Sequence, residues 1–398
     1  MTEQAARVPV SWVRACQVLL AVGAATFVAA LALGQAQRAW QAYLVNFVLW
    51  TGIAQCGVIF SAAYRITNAH WSDAFRRMGE SLGFFLPVSL VLFLVLMLFG
   101  AGAVYPWVRQ PYPGREVWLS VPFVLGRDFA VLAGVFGLSA MYLYFSQGPA
   151  LAGLREKPKF IERWAAATSD ADACERKVRV LAPALVIAFG LGFSLLAFDL
   201  IMSLDPVWYN TLFGWYYFVG SFYAAVAVLA LGAGLFRRHW NLEAHLGPDQ
   251  THDLGRLLFG MCLLTGGLFW AQWLVFWYGN LPEEIEYVIP RYYQMPFGPL
   301  GWAAAYGSFV VPLVVLLSKA LKRRPRHLMW VALWILAALW LERYLWVVPA
   351  NWHGRGAPLA IEILITLGFA GGFGWGWIEH NRRLPVAELA SLPAARAH

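Results

Sequence analysis

Several charged side chains lie within long apolar segments of the chain, where an ionisable group is costly. They include Asp128, Asp199, Glu342, Glu362 and Arg127, each within a turn or two of the same end of the predicted spans, so we expect them to form one layer. A charged residue at membrane depth usually pairs with another charge or marks a path for ions or protons. A carboxylate in such a place can accept a proton from a bound donor or relay one along a path. The same residues would equally serve as ion pairs that hold helices together, and the sequence leaves both interpretations open.

A second set of polar residues lies near the opposite ends of these segments. Glu80, His252 and Asp253 are candidates for proton entry from the cytoplasm. Asp73 stands at helical spacing from Arg76 and Arg77, which predicts an ordinary ion pair with one or the other. A continuous proton path would also need water and the neutral polar residues that lie between the two sets: Gln55, Ser89, Ser139, Tyr142, Ser194 and Thr265.

The elements that must position these residues are about ten apolar segments. A helix crosses the hydrocarbon core in about 20 residues, and it satisfies its own backbone hydrogen bonds there. The predicted spans are 11–33, 41–63, 82–103, 121–145, 181–203, 211–236, 255–278, 299–318, 328–348 and 358–378.

The sequence, which is 60% hydrophobic and 13% charged, therefore predicts an all-α integral membrane protein. We expect one polytopic domain over residues 11–378, a short segment 1–10 before it and a tail 379–398 after it. The first span also resembles the apolar region of a signal peptide, but its length favours a helix that stays in the membrane.

The distribution of basic residues predicts the orientation. Most of the 30 Lys and Arg residues lie before the first span, in the loops that follow even-numbered spans, and after the last span. Because cytoplasmic loops carry the excess of Lys and Arg, both termini are expected in the cytoplasm. Topology thus explains the net charge of +8 without nucleic acid. Residues 70–77 predict a short amphipathic helix on the cytoplasmic membrane surface.

The chain offers few ligands for a redox metal. Its four cysteines are far apart and form no CxxC pair, so no iron–sulfur or zinc site is expected. The histidines lie in loops or at span ends, which argues against a bis-His haem inside the bilayer. We predict no bound metal, and any redox role would use a diffusible ligand or the cofactors of a partner.

Several stretches resemble the NrfD-like membrane subunits of bacterial alternative complex III, and in particular the smaller of its two NrfD-like subunits. The longest covers residues 198–214, FDLIMSLDPVWYNTLFG. The others are HDLG at 252–255, WYGNLPEE at 277–284, HW at 70–71 with RRMGE at 76–80, and VPF at 121–123 with Arg127. Together they extend over residues 40–380.

The resemblance implies two four-helix bundles with flanking helices in the bacterial inner membrane. It also implies three kinds of partner: a larger NrfD-like sister subunit, an iron–sulfur subunit and multihaem cytochrome c subunits. These partners carry electrons from quinol to a periplasmic acceptor. A quinone head group would stack on aromatic residues near two charged groups, and the candidates are Trp208, Tyr209, Trp277, Tyr278, Asp205 and Arg127.

The predicted function is therefore that of a membrane subunit without its own redox metal, which contributes to quinol binding, to a proton path, or to both. Two alternatives stay open. The chain could be a scaffold that only anchors the other subunits, and the aromatic candidates would then form an ordinary interfacial belt. It could also be a secondary transporter, although those usually place broken helices and polar sites at mid-membrane.

Overall fold

The computed structural model describes residues 8–154, 159–280, 282–352 and 359–391, and for residues 282–284 it describes the backbone alone. Residues 1–7 and 392–398, which hold most of the predicted first segment and the end of the predicted tail, lie outside the described residues. The described chain contains helices and loops and no β-strand. Ten of its helices are long and apolar enough to cross a membrane.

These ten helices are α1 (Val10–Ala32), α2 (Ala36–Ile66), α3 (Asp73–Val104), α4 (Val121–Leu151), α5 (Ala171–Leu204), α6 (Phe213–Phe236), α7 (Pro248–Gly279), α8 (Gly298–Leu316), α9 (Pro325–Asn351) and α10 (Ala360–Arg383). Shorter helices cover Pro106–Arg109, Lys159–Ala167, Pro282–Tyr292, Lys319–Lys322 and Val386–Ser391. The prediction of an all-α membrane protein with about ten spans is confirmed.

The helices are longer than the predicted spans mainly at the end that the sequence places in the cytoplasm. α3 begins at Asp73, α5 at Ala171 and α7 at Pro248, each seven or more residues before the predicted start. Hydropathy locates the stretch that crosses lipid, whereas helical hydrogen bonding continues into polar sequence beyond it. Capping residues then set the ends: Asp170 accepts a hydrogen bond from the Ala173 amide at 2.8 Å.

Helices α2 and α6 form the centre of the molecule, and α2 is buried along nearly its whole length. α9 packs along α6, α4 packs along α5, and α1 packs along α10 at the periphery. The centre therefore contains polar residues that never face lipid, including Asn46, Thr51, Gln55 and Ser61. This arrangement places polar groups of α2 against α4 and the start of α3.

The predicted amphipathic helix is present as the first two turns of α3, but its predicted place on the membrane surface is wrong. Every residue from Ala74 to Ser81 is buried. The close approach of α3 to α2 depends on two glycines, because a Cβ on Gly57 would lie 2.7 Å from the Gly79 carbonyl oxygen. The charged face of this helix therefore points into the protein.

Candidate functional site

The first cluster joins α4 to α5 through one arginine and two carboxylates. Arg127 Nη2 lies 2.7 Å from Asp199 Oδ2, and Arg127 Nε lies 3.6 Å from Asp128 Oδ1. Trp118 Nε1 donates to the other Asp199 oxygen at 3.1 Å. The Arg127 guanidinium also packs over the Trp118 ring at 3.8 Å. We call Asp128 and Asp199 the carboxylate pair.

The charges of this cluster do not balance. Two carboxylates share one guanidinium, so the cluster carries a charge of −1 when both are ionised. Asp128 is 0% exposed, and neither of its carboxylate oxygens has a hydrogen-bond partner among the described residues. An uncompensated buried charge is unfavourable, and two like charges in contact raise that cost. Binding of one proton would neutralise the cluster, which gives the carboxylate pair the composition of a proton acceptor.

The polar side of α4 continues from the carboxylate pair toward the other end of the helix. Asp128, Ser139, Tyr142 and Ser146 all belong to the buried face of α4. Gln55 Nε2 on α2 donates to Ser139 Oγ at 2.9 Å. We call the polar side chains beyond Asp128, together with the α2 and α3 residues that they contact, the polar ladder: Gln55, Ser61, Glu80, Ser139, Tyr142 and Ser146.

The inner half of the polar ladder is continuously hydrogen-bonded. The hydroxyl oxygens of Ser61 and Tyr142 lie 2.8 Å apart. Ser61 and Ser146 each donate to Glu80 Oε1 at 2.7 Å. The chain of contacts therefore runs from Tyr142 to a fully buried carboxylate on α3.

Glu80 is held by two arginines from its own helix. Arg76 Nη1 donates to Glu80 Oε1 at 2.9 Å, and Arg77 Nη1 donates to Glu80 Oε2 at 2.8 Å. Arg76 also pairs with the half-exposed Asp73 at 2.9 Å, so the predicted helix-spaced ion pair is confirmed. Asp73 is thus the group through which this buried network reaches the surface.

The other two proton-entry candidates belong to a different place. His252 and Asp253 lie in the first turns of α7 and are partly exposed. Asp253 lies 3.5 Å from Arg256 and 3.9 Å from His252 Nδ1. They form a local ion pair at the start of a helix, whereas Glu80 lies in the buried network of α3.

Glu342 and Glu362 lie in two further clusters, apart from the carboxylate pair. Glu362 on α10 is 1% exposed and forms a two-point ion pair with Arg38 on α2, with both N–O distances at 3.0 Å. Glu342 on α9 contacts the neighbouring Arg343 and accepts a hydrogen bond from Tyr216 on α6. The four candidate carboxylates therefore divide into three ion-paired clusters rather than one.

Glu342 borders a small aromatic cavity that includes one of the predicted quinone contacts. Trp208 is buried and stacks on Tyr287, with 3.7 Å between the ring centroids, and Arg291 packs over the same Tyr287 ring at 3.5 Å. The cavity has a volume of about 50 Å³. A cavity of that size holds a few water molecules, and a quinone ring needs more.

The remaining quinone candidates are dispersed. Trp277 is 71% exposed, Tyr278 is 84% exposed and Tyr209 is 54% exposed. Asp205 is partly buried near Tyr112, and Arg127 forms ion pairs with both members of the carboxylate pair. The exposed aromatic residues have the position and character of an interfacial belt.

Sequence reasoning missed the residues that complete each cluster. Trp118 and Tyr216 do not stand out from the many aromatic residues of the sequence, and Arg38 is one of several basic residues near span ends. Ser146 carried one usable signal, because it lies four residues after Tyr142 and seven after Ser139, on the same face of α4. Ser61 has no such spacing from Gln55. Comparison with protein-family models and with curated proteins found no match to this chain.

Proposed function

We propose that the chain is a membrane subunit of a quinol-oxidising complex of the alternative complex III type, and that it carries protons rather than electrons. The observation that supports this most is the carboxylate pair, because two buried carboxylates share the single guanidinium of Arg127. The fold of two four-helix bundles and the bacterial inner membrane belong to the same proposal. So do the cytoplasmic termini.

The proposed path follows the buried face of α4. Asp128 and Ser146 are separated by about 27 Å along this helix at 1.5 Å per residue, close to the roughly 30 Å of the hydrocarbon core. The inner half of this distance is spanned by the polar ladder. Arg127, whose side chain is 12% exposed, and the half-exposed Trp118 connect the outer end to the surface.

Two sections of the path lack direct hydrogen bonds. The shorter lies between Ser139 and Tyr142, about one helical turn apart on α4. In the longer section, Leu132 and Val135 fill the buried face of α4 between Asp128 and Ser139, over about 16 Å. Thr51 on α2 lies one helical turn beyond Gln55 in this direction, and its buried hydroxyl has no partner among the described residues. Water in both sections, including water that enters beside Thr51, would complete the path.

The chemistry of quinol oxidation explains why the proposal assigns electrons and protons to different subunits. Its oxidation releases two electrons and two protons, and no group of three or more His, Cys, Asp or Glu that could hold a metal occurs among the described residues. In the proposal the electrons pass to the iron–sulfur and multihaem cytochrome c subunits. The quinol itself is bound mainly by the larger sister subunit, since the cavity beside Trp208 is too small for a quinone ring and the other aromatic candidates are exposed.

Purification of the tagged chain from its own membranes tests the proposal. We expect haem and iron–sulfur absorbance to co-purify, together with quinol-dependent reduction of cytochrome c. Asp128→Asn and Asp199→Asn should each lower turnover about a hundredfold, the scale of general acid–base catalysis. The matched control is Asp249→Asn, an 81% exposed carboxylate at the other end of the molecule, which should leave turnover unchanged.

Two results would contradict the proposal. Full turnover and full proton release in both carboxylate variants would identify the chain as a scaffold that only anchors the other subunits. If the chain is isolated without any haem or iron–sulfur partner, it is not a subunit of such a complex, and a secondary transporter becomes the stronger candidate.

A further inference from the structure

A large open cavity lies at the end of the bundle that the sequence places in the periplasm. Its volume is about 1100 Å³, slightly more than that of ordinary ligand-binding clefts. Leu33, Val104, Leu204 and Asn351 line it, and each stands where one of the long helices ends. The cavity therefore lies at the depth of the lipid head groups.

The polar part of the lining consists of donors and amides. Gln35, Gln41 and Gln110 contribute amides, and Arg38 and Arg109 contribute guanidinium groups. The lining residues within the described part of the chain include no Asp or Glu. Glu362 compensates the charge of Arg38, so the exposed Arg109 supplies the net positive charge.

Two buried polar groups in this lining have no hydrogen-bond partner among the described residues. They are Gln41 Nε2, on a residue that is 2% exposed, and the Tyr112 hydroxyl. Burial, helped by the nearby Asp205 carboxylate, raises the pKa of Tyr112 to about 12, so the hydroxyl keeps its proton. A buried donor without a partner is costly, and a ligand oxygen at this position would satisfy it.

The rest of the lining is apolar and includes Leu33, which is 74% exposed, and Trp352. A donor-rich floor beside an apolar wall matches a molecule with a phosphate group at one end and hydrocarbon at the other. A free phosphate ion would leave the apolar wall uncovered. An ammonium head group would find no carboxylate in the lining with which to pair.

From these observations we infer that the cavity binds the head group of an anionic phospholipid of the phosphatidylglycerol type. Gln41 and Arg109 contact the phosphate and glycerol oxygens, and the acyl chains leave past Leu33 into the bilayer. The described lining residues include no member of the carboxylate pair or the polar ladder, and the inference does not depend on the proposed proton path.

Native mass spectrometry of the purified full chain tests this inference by titration with phosphatidylglycerol, phosphatidylcholine and inorganic phosphate. We expect phosphatidylglycerol to bind at least about tenfold more tightly than phosphatidylcholine. Arg109→Gln should lower the affinity for phosphatidylglycerol about tenfold, the size of a lost charged hydrogen bond. Adding Gln41→Leu should lower it by about the same factor again. Arg115→Gln makes the same charge change at the same end on a residue outside the lining, whose contact with it is a hydrogen bond of 3.4 Å to the Pro206 carbonyl, and it should lower the affinity much less than Arg109→Gln does.

Three outcomes would overturn the inference. Equal binding of the two lipids would remove the head-group selectivity. Equal binding by the Arg109 and Arg115 variants would place any bound lipid elsewhere. Displacement of phosphatidylglycerol by inorganic phosphate at equal concentration would identify a free-anion site instead. Arg109 is exposed, so the Arg109→Gln variant is expected to fold, and circular dichroism checks that it does.

Discussion

The unequal roles of the two members of the carboxylate pair predict an unusual order of stability. Asp199 accepts hydrogen bonds from Trp118 and Arg127, whereas neither oxygen of Asp128 has a hydrogen-bond partner among the described residues. Asp128→Asn removes the excess negative charge and retains the shape of the side chain. We therefore expect this substitution to leave the free energy of unfolding within about 1 kcal/mol of the wild type, or to raise it.

The other two substitutions in the cluster should be costly. Asp199→Asn weakens the ion pair and the charge-assisted hydrogen bond from Trp118, and we expect a loss of about 1–3 kcal/mol. Arg127→Gln leaves two buried carboxylates without a cation, and the expected loss is about 3–5 kcal/mol. The predicted order of stability is thus Asp128→Asn, then Asp199→Asn, then Arg127→Gln.

Reversible unfolding of the purified protein in mixed micelles, followed by circular dichroism, measures these differences. Glu362→Gln serves as a comparison because its carboxylate is fully paired with Arg38, and it should be destabilising. If Asp128→Asn lowers the stability as much as Asp199→Asn does, Asp128 is a structural anchor, and our interpretation of the cluster charge is refuted.

Three further predictions concern other parts of the molecule. Glu80→Gln should destabilise the fold by about 3–5 kcal/mol in the same unfolding assay, because two buried arginines lose their anion, whereas Asp73→Asn on the half-exposed partner should cost less than about 1 kcal/mol. Gly23→Leu should detach α1 from α10 in limited proteolysis, since even a Cβ would lie 2.4 Å from the facing backbone; Gly102→Ala, which meets nothing within 4 Å, should not. Burial raises the pKa of Tyr287 to about 12, above the usual value of roughly 10. The stability that this residue contributes should therefore be present below pH 10 and lost as the pH rises toward 12. Because Tyr112 also titrates near pH 12, Tyr287→Phe should lower the tyrosinate absorbance that appears there by the share of one residue.

Hydropathy and helix length were sufficient to find all ten long helices, because the requirement for about 20 apolar residues acts on each segment separately. The same property located the depth of Asp128, Asp199, Glu342 and Glu362 near one end of their helices. Depth does not determine direction around a helix axis, however. The packing of the helices determines which neighbour each carboxylate contacts. It distributes the four carboxylates of the predicted layer over three clusters.

The short helix at the start of α3 shows why an amphipathic sequence pattern alone does not determine where a helix lies. Its charged residues predicted a membrane surface, since that is the usual partner of such a face. Instead, Arg76, Arg77 and Glu80 satisfy one another and the hydroxyls of Ser61 and Ser146. With Asp73, the four charges within eight residues of helix balance and could be recognised as self-compensating, but the serines come from distant positions in the chain.

The central claim is that the carboxylate pair holds one exchangeable proton. Infrared difference spectroscopy of the wild type against Asp128→Asn measures this directly, through the C=O stretch of a protonated carboxyl group and its shift in D₂O. We predict a deuterium-sensitive carboxyl band in the wild type that the variant lacks, whereas Glu362→Gln retains it. Identical carboxyl regions in the wild type and Asp128→Asn would contradict the account.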